Sequence, residues 1–78
     1  MSLTERLLLV RRAECRDHLI RLGQSPELAE RWCDAWEHEA ERRAWGTTPE
    51  FWEHARLWID AQIALRRSPD AVLAGMTR

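Results

Sequence analysis

The 78-residue chain is predicted to be all-α, an antiparallel three-helix bundle with a short fourth helix at its C-terminus. A triplet of hydroxyl residue, proline and acid occurs three times, at Ser25-Pro26-Glu27, Thr48-Pro49-Glu50 and Ser68-Pro69-Asp70. It indicates a helix start, because the hydroxyl caps free amides, proline suits the first turn and the acid favours the positive helix end. Between the triplets, apolar residues recur at helical spacing, as in Leu28, Trp32, Trp36 and Ala40.

These start signals, with Gly23 and Gly46 as stop signals, divide the chain into four segments. We expect helices over roughly 3–22, 26–45, 49–67 and 69–75. The connections between them are short, so consecutive helices are expected to pack as antiparallel neighbours in one domain covering residues 1–78.

The second helix carries the clearest core face. Its apolar residues form one stripe, which is expected to direct Trp32 and Trp36 inward and Glu37, His38 and Glu41 outward. The chain contains five tryptophans, and each large aromatic side chain can bury roughly 150 to 250 Å². Tryptophan therefore allows so short a chain to build a core from few residues.

Antiparallel packing also predicts which residues lie level with one another. With the turns placed in the short connections, Cys15 is level with Cys33, and Trp36 is level with Trp58. Arg12 falls at the height of that tryptophan pair, where a guanidinium can stack on an indole ring. The sequence thus predicts an internal tryptophan layer covered by an arginine.

The first and third helices carry more apolar residues than one core needs. Such a surplus indicates a partner surface, and Trp is among the residue types that dominate interface energetics. The sequence therefore predicts a protein-protein interaction module, such as an adaptor, regulatory subunit or assembly component, that self-associates as a dimer. The predicted interface consists of Leu7, Val10, Trp45, Trp52, Leu57, Ala61 and Leu65.

A small DNA-associated transcriptional regulator is the alternative. The first helix displays five arginines that could reach phosphates: Arg6, Arg11, Arg12, Arg16 and Arg21. The net charge of -1 and the six acids of the second helix, which would repel a nucleic-acid backbone, disfavour this function. Retention on DNA that falls steeply with added salt would distinguish the regulator from the interaction module.

A metal-binding module is a weaker alternative. Cys15, His18, Cys33 and His38 are of the types that bind zinc, but side chains five positions apart on a helix, such as Cys33 and His38, point about 140° away from each other. No cysteine is paired with a base in an evident pocket, and a domain of this size has little room for one. We therefore expect no bound metal or cofactor and no enzymatic activity.

Composition bears on origin and compartment. Lys, Asn and Tyr, which are encoded by A/T-rich codons, are all absent, so a high-GC bacterial or phage genome is expected. The sequence contains no apolar run long enough to span a membrane and no pattern typical of a signal peptide. We expect a cytoplasmic protein, in which the two cysteines are reduced.

Overall fold

The computed structural model describes residues 2–76. Within that range the chain forms four helices and no strand: α1 at Leu3–Arg21, α2 at Pro26–Arg42, α3 at Phe51–Ala64 and α4 at Pro69–Met76. Helix α2 contacts each of the other three helices, and α1 also contacts α3. The all-α prediction is therefore confirmed. None of these helices is long and apolar enough to cross a membrane.

Serine caps three of the four helix starts. The side-chain oxygens of Ser2, Ser25 and Ser68 each accept a hydrogen bond from the backbone N–H three residues later, at 3.1, 3.2 and 3.1 Å. Each bond satisfies an amide that has no partner within its own helix. The predicted helix starts at Ser25 and Ser68 are thus confirmed.

The start of α3 differs from the prediction. The helix begins at Phe51, and its N-cap residue, Glu50, makes no side-chain capping bond. Thr48 contributes its backbone carbonyl, which accepts a hydrogen bond from the Phe51 N–H at 3.0 Å. Because Pro49 and Glu50 form a turn before the helix, the prediction that Thr48 caps a helix beginning at Pro49 is wrong.

Helix α2 ends three residues before the predicted position. Ala44, and not Gly46, adopts the left-handed conformation, with φ of 57°. The Trp45 N–H donates a hydrogen bond to the carbonyl five residues earlier at 2.9 Å, the pattern of a Schellman motif. Because the helix ends early, the chain turns back and the Trp45 ring packs on Trp36 of α2, with centroids 5.7 Å apart.

The remaining helix ends follow the prediction to different degrees. Helix α1 stops before Gly23, whose φ of 102° agrees with its predicted role as a stop signal. Helix α3 ends three residues early, because Arg66 is left-handed, with φ of 58°. Helix α4 extends to Met76, one residue beyond the expected end.

The core lies between α2 and its neighbours and is rich in tryptophan. As predicted, Trp32 and Trp36 point inward, whereas Glu37, His38 and Glu41 are exposed. Helix α4 contributes the buried Pro69, and the other buried apolar residues come from α1, α2 and α3: Cys15, Leu19, Ala29, Trp32, Cys33, Ala35, Trp36, Ala40, Phe51, Trp52, Ala55 and Ile59.

Candidate functional site

An arginine of α1 joins the acidic face of α2. The Arg12 guanidinium donates hydrogen bonds to Glu30 at 3.0 Å, to Asp34 at 2.9 Å and to Glu37. Its side chain is only 22% exposed, and its terminal carbon lies 5.7 Å from the centroid of the Trp52 ring. The predicted arginine cover is therefore present, but it lies over Trp52 and not over the pair of Trp36 and Trp58.

The charge of Arg12 is stabilised by these contacts. Burial lowers the pKa of Arg12, but the carboxylates of Glu37 and Asp34 raise it by more than burial lowers it. The pKa therefore lies above the ordinary value for arginine. A planar guanidinium can donate to several carboxylates at once, which an ammonium group does less well. The contact therefore fixes the orientation of α1 on α2.

The five arginines of α1 do not form one open basic surface. Arg12 and Arg16 both donate to the carboxylate of Glu30, and Arg11 pairs with an acid one turn later. Arg6 and Arg21 are exposed. The residues expected to reach phosphates are thus divided between internal ion pairs and solvent.

The two cysteines face each other across α1 and α2. Cys15 and Cys33 are free thiols, both fully buried, and they lie close enough for each to shift the pKa of the other. Interaction with the Cys15 thiol, together with burial, raises the pKa of Cys33. Cys15 and Cys33 are neighbours, and both thiols pack as small core side chains.

The histidines do not complete a metal site with these cysteines. His38 is exposed on α2, whereas Cys33 is buried in the same helix. Across residues 2–76, no group of three or more His, Cys, Asp and Glu side chains could hold a metal ion.

Trp36 is the centre of an aromatic cluster. Its ring centroid lies 5.7 Å from that of Trp45, 5.3 Å from Phe51 and 5.8 Å from Trp58. Trp32 meets Trp58 edge to face at 6.3 Å. Such distances are typical of favourable aromatic pairs, and the predicted proximity of Trp36 and Trp58 is confirmed.

Two cavities lie beside the connection between α2 and α3, and Trp45 lines both. The first, of about 580 Å³, mixes apolar side chains with charged ones such as Glu5, Arg12 and Glu37. The second, of about 720 Å³, is lined by the rings of Trp36, Trp45, Phe51 and Trp58, by Leu57 and Gly46, and by the polar residues Thr48 and His54. We call the second one the aromatic cavity.

Six of the seven predicted interface residues are exposed. The side chains of Leu7, Val10, Ala61 and Leu65 face solvent, Trp45 is 49% exposed and Leu57 is 71% exposed. Trp52 is the exception: it is only 5% exposed, because it packs against Phe51 and beneath Arg12. It is a core residue and does not belong to the exposed surface that sequence reasoning assigned to it.

Sequence reasoning missed the burial of Glu39, which it counted among the six acids of the second helix that would repel a nucleic-acid backbone. Glu39 is buried and accepts hydrogen bonds from Arg42 at 2.9 Å and from Arg43. The guanidinium of Arg43 also lies 5.3 Å from the centroid of the Trp45 ring. The signal was present in the sequence, since arginines three and four residues after an acid lie on the same helix face.

Comparisons of the chain with models of known protein families, with curated proteins and with solved structures found no match.

Proposed function

We propose that the chain is a small, non-enzymatic interaction module that associates with a second copy of itself. The observation that carries this proposal is the exposure of leucines on the sides of α1 and α3 that face away from the core. Contiguous exposed apolar side chains are typical of protein interfaces, and cyclic dimers are the most common soluble oligomers.

The apolar stripe of α3 supports this proposal most directly. Leu57, Ala61 and Leu65 follow one another at four-residue spacing, so at 100° per residue they lie within about 80° of one another around the helix. All three are exposed. The buried residues Ala55 and Ile59 lie on the opposite side of the helix, so the apolar side chains of this stripe do not contribute to the core.

Helix α1 carries a comparable stripe. Leu7 and Val10, preceded by Leu3, are spaced for one helix face and are all exposed. The helix directs Cys15 and Leu19 into the core, on another side. Because α1 and α3 are in contact, one interface can cover exposed side chains from both helices.

A double substitution in the α3 stripe tests the proposal. Native chain at micromolar concentration is expected to show the mass of a dimer by light scattering, and Leu57→Glu with Leu65→Glu is expected to show the mass of a monomer. Two buried carboxylates would oppose association without affecting the core. Circular dichroism should show unchanged helix content.

Leu22→Glu is the matched control, since Leu22 is an exposed leucine at the end of α1 outside both stripes. This variant should remain a dimer. A monodisperse monomer for the native chain at the same concentration would contradict the proposal, as would equal dissociation in the control.

We also infer that α1, α2 and α3 form an antiparallel bundle. In the α1 and α2 pair, Arg12 contacts Glu37, whereas the later Arg16 contacts the earlier Glu30. In the α2 and α3 pair, Trp36 contacts Phe51, whereas the earlier Trp32 contacts the later Trp58. Interhelical nuclear Overhauser effects between these partners would test the arrangement.

We do not propose nucleic-acid binding as the function. Arg12 and Arg16 already donate to carboxylates of α2, and contact with phosphates would require those ion pairs to break. The same acids would lie close to any backbone approaching α1, where they would repel it.

A further inference from the structure

The aromatic cavity differs chemically from the other large openings in the molecule. Charged side chains, including Glu37, line the first cavity, and Arg42 and Arg67 line another of about 680 Å³ near α4. Among the described residues that line the aromatic cavity, none is an acid or an arginine. Its volume of about 720 Å³ lies within the range of small-molecule sites.

One polar group of a residue that lines this cavity has no hydrogen-bond partner in residues 2–76. The Trp36 side chain is only 2% exposed, and its indole Nε1–H is buried without a hydrogen-bond acceptor in residues 2–76. A buried donor without an acceptor is unfavourable and uncommon in native proteins. Because this N–H has almost no exposed surface, a molecule in the cavity could accept a hydrogen bond from it only after a neighbouring ring moves aside.

The ring that can admit such a molecule is Trp45. Three rings pack on Trp36, and of these Trp45 is the most exposed, at the end of α2 in the connection to α3. Phe51 is buried, and Trp58 is partly buried against the core. A turn of the Trp45 side chain can therefore open the site while the core remains packed.

We propose that the aromatic cavity binds a small, planar, uncharged aromatic molecule that accepts a hydrogen bond from the indole N–H of Trp36. Aromatic side chains provide stacking and edge contacts for such a molecule. Thr48 and His54 provide further polar groups among the lining residues. This binding does not require self-association, although Leu57 belongs both to the cavity lining and to the α3 stripe.

Two probes of nearly identical shape test the hydrogen bond. Quinoline carries a ring nitrogen that accepts a hydrogen bond, and naphthalene does not. Titration is followed by the indole N–H signals in proton–nitrogen correlation spectra. Quinoline is expected to shift the Trp36 signal, and Trp36→Phe is expected to weaken quinoline binding roughly fivefold, the factor for one net hydrogen bond, with naphthalene binding much less affected.

A second pair of variants keeps the test decisive if Trp36→Phe does not fold. Thr48 lines the aromatic cavity, whereas its neighbour Thr47 lines the first cavity. Neither hydroxyl caps a helix, and both residues are exposed. Thr48→Phe should therefore fill the aromatic cavity and abolish binding of both probes, and Thr47→Phe should leave it unchanged.

The proposal is overturned if neither probe binds, if Trp36→Phe weakens both probes equally, or if Thr48→Phe leaves binding intact. Leu57 belongs both to the α3 stripe and to the cavity lining, so self-association could affect probe binding. Light scattering on the same samples therefore measures the oligomeric state separately from probe binding. A dimer that binds neither probe, with indole signals that change on dilution, would overturn the proposal and mean that a second copy covers the cavity. A monomer that binds quinoline as described would contradict only the proposed self-association.

Discussion

Helices α1 and α2 are similar in length but differ in how many of their residues are buried. Helix α1 has 19 residues and buries two of them, Cys15 and Leu19, whereas α2 has 17 residues and buries seven. The exposed leucines of α1 show that apolar content alone does not decide burial. What matters is whether the apolar side chains share one stripe and whether that stripe meets several neighbours.

The small residues of α2 explain part of this difference. Ala29, Ala35 and Ala40 are buried beside Trp32 and Trp36, so large rings alternate with positions where another helix can approach closely. In α1 the leucines of the first turns point in several directions around the helix axis. Only some of them, such as Leu8, pack against the core. Helix α2 is therefore the central helix because its large and small apolar side chains share one face.

Removal of Trp36 should give the largest effect, because its ring contacts three others. Trp36→Ala is expected to lower the free energy of unfolding by about 3 to 5 kcal/mol, out of a total of roughly 4 to 12 kcal/mol for a chain of this size. Urea denaturation followed by circular dichroism measures the change.

Trp45→Ala is the matched control, since Trp45 is half-exposed and contacts the same cluster. Its expected cost is about 1 kcal/mol, because much of its surface remains in water. Equal losses for the two variants would mean that the aromatic cluster does not distinguish core from surface.

The ion pairs that join α1 to α2 should give an intermediate effect. Arg12→Ala leaves three carboxylates without their shared partner, and because those carboxylates are about half-exposed the expected cost is about 1 to 2 kcal/mol. Thermal unfolding at low and high salt would measure it.

Arg11→Ala serves as the reference for that experiment. Arg11 makes one exposed pair with Glu14 within α1, and its loss should cost no more than about 0.5 kcal/mol. If both variants melted at the same temperature, the contacts of Arg12 would contribute nothing specific to the packing of α1 on α2.

The end of α2 should give the smallest effect. Ala44→Gly is expected to raise the free energy of unfolding by roughly 0.5 to 1 kcal/mol, because alanine is strained at a positive φ and glycine is not. Gly46→Ala should leave stability unchanged or raise it slightly, since open space surrounds the added Cβ. A clear loss of stability for Gly46→Ala in urea denaturation would mean that Gly46 is needed to end α2, as the sequence predicted.

Much of the fold could be predicted because its signals are local. The hydroxyls of Ser25 and Ser68 cap helices three residues ahead, and Gly23 ends α1 in the conformation that glycine favours. The same reasoning failed at Thr48, although its triplet has the same form. There the path of the connection towards α3 determined where the helix begins, and a local pattern contains no information about that path.

Candidate site residues were predictable only where helical register was sufficient. The contact of Cys15 with Cys33 and that of Trp36 with Trp58 follow from counting along paired helices. The burial of Trp52 does not, because it depends on Arg12 reaching across from α1. Glu39 is different, because its partners Arg42 and Arg43 lie three and four residues later on the same helix, a pattern that the sequence contains.

By itself the sequence determined the helical class, the number of helices, the inward stripe of α2 and the level of the cysteine pair. These features depend on capping, periodicity and spacing along one chain, which act over a few residues. The tertiary structure alone decided that Trp52 is core, that Trp45 packs on Trp36 and that the Trp36 indole N–H is buried without an acceptor among residues 2–76. Those features depend on contacts between helices, where burial and charge are decided by residues distant in the chain.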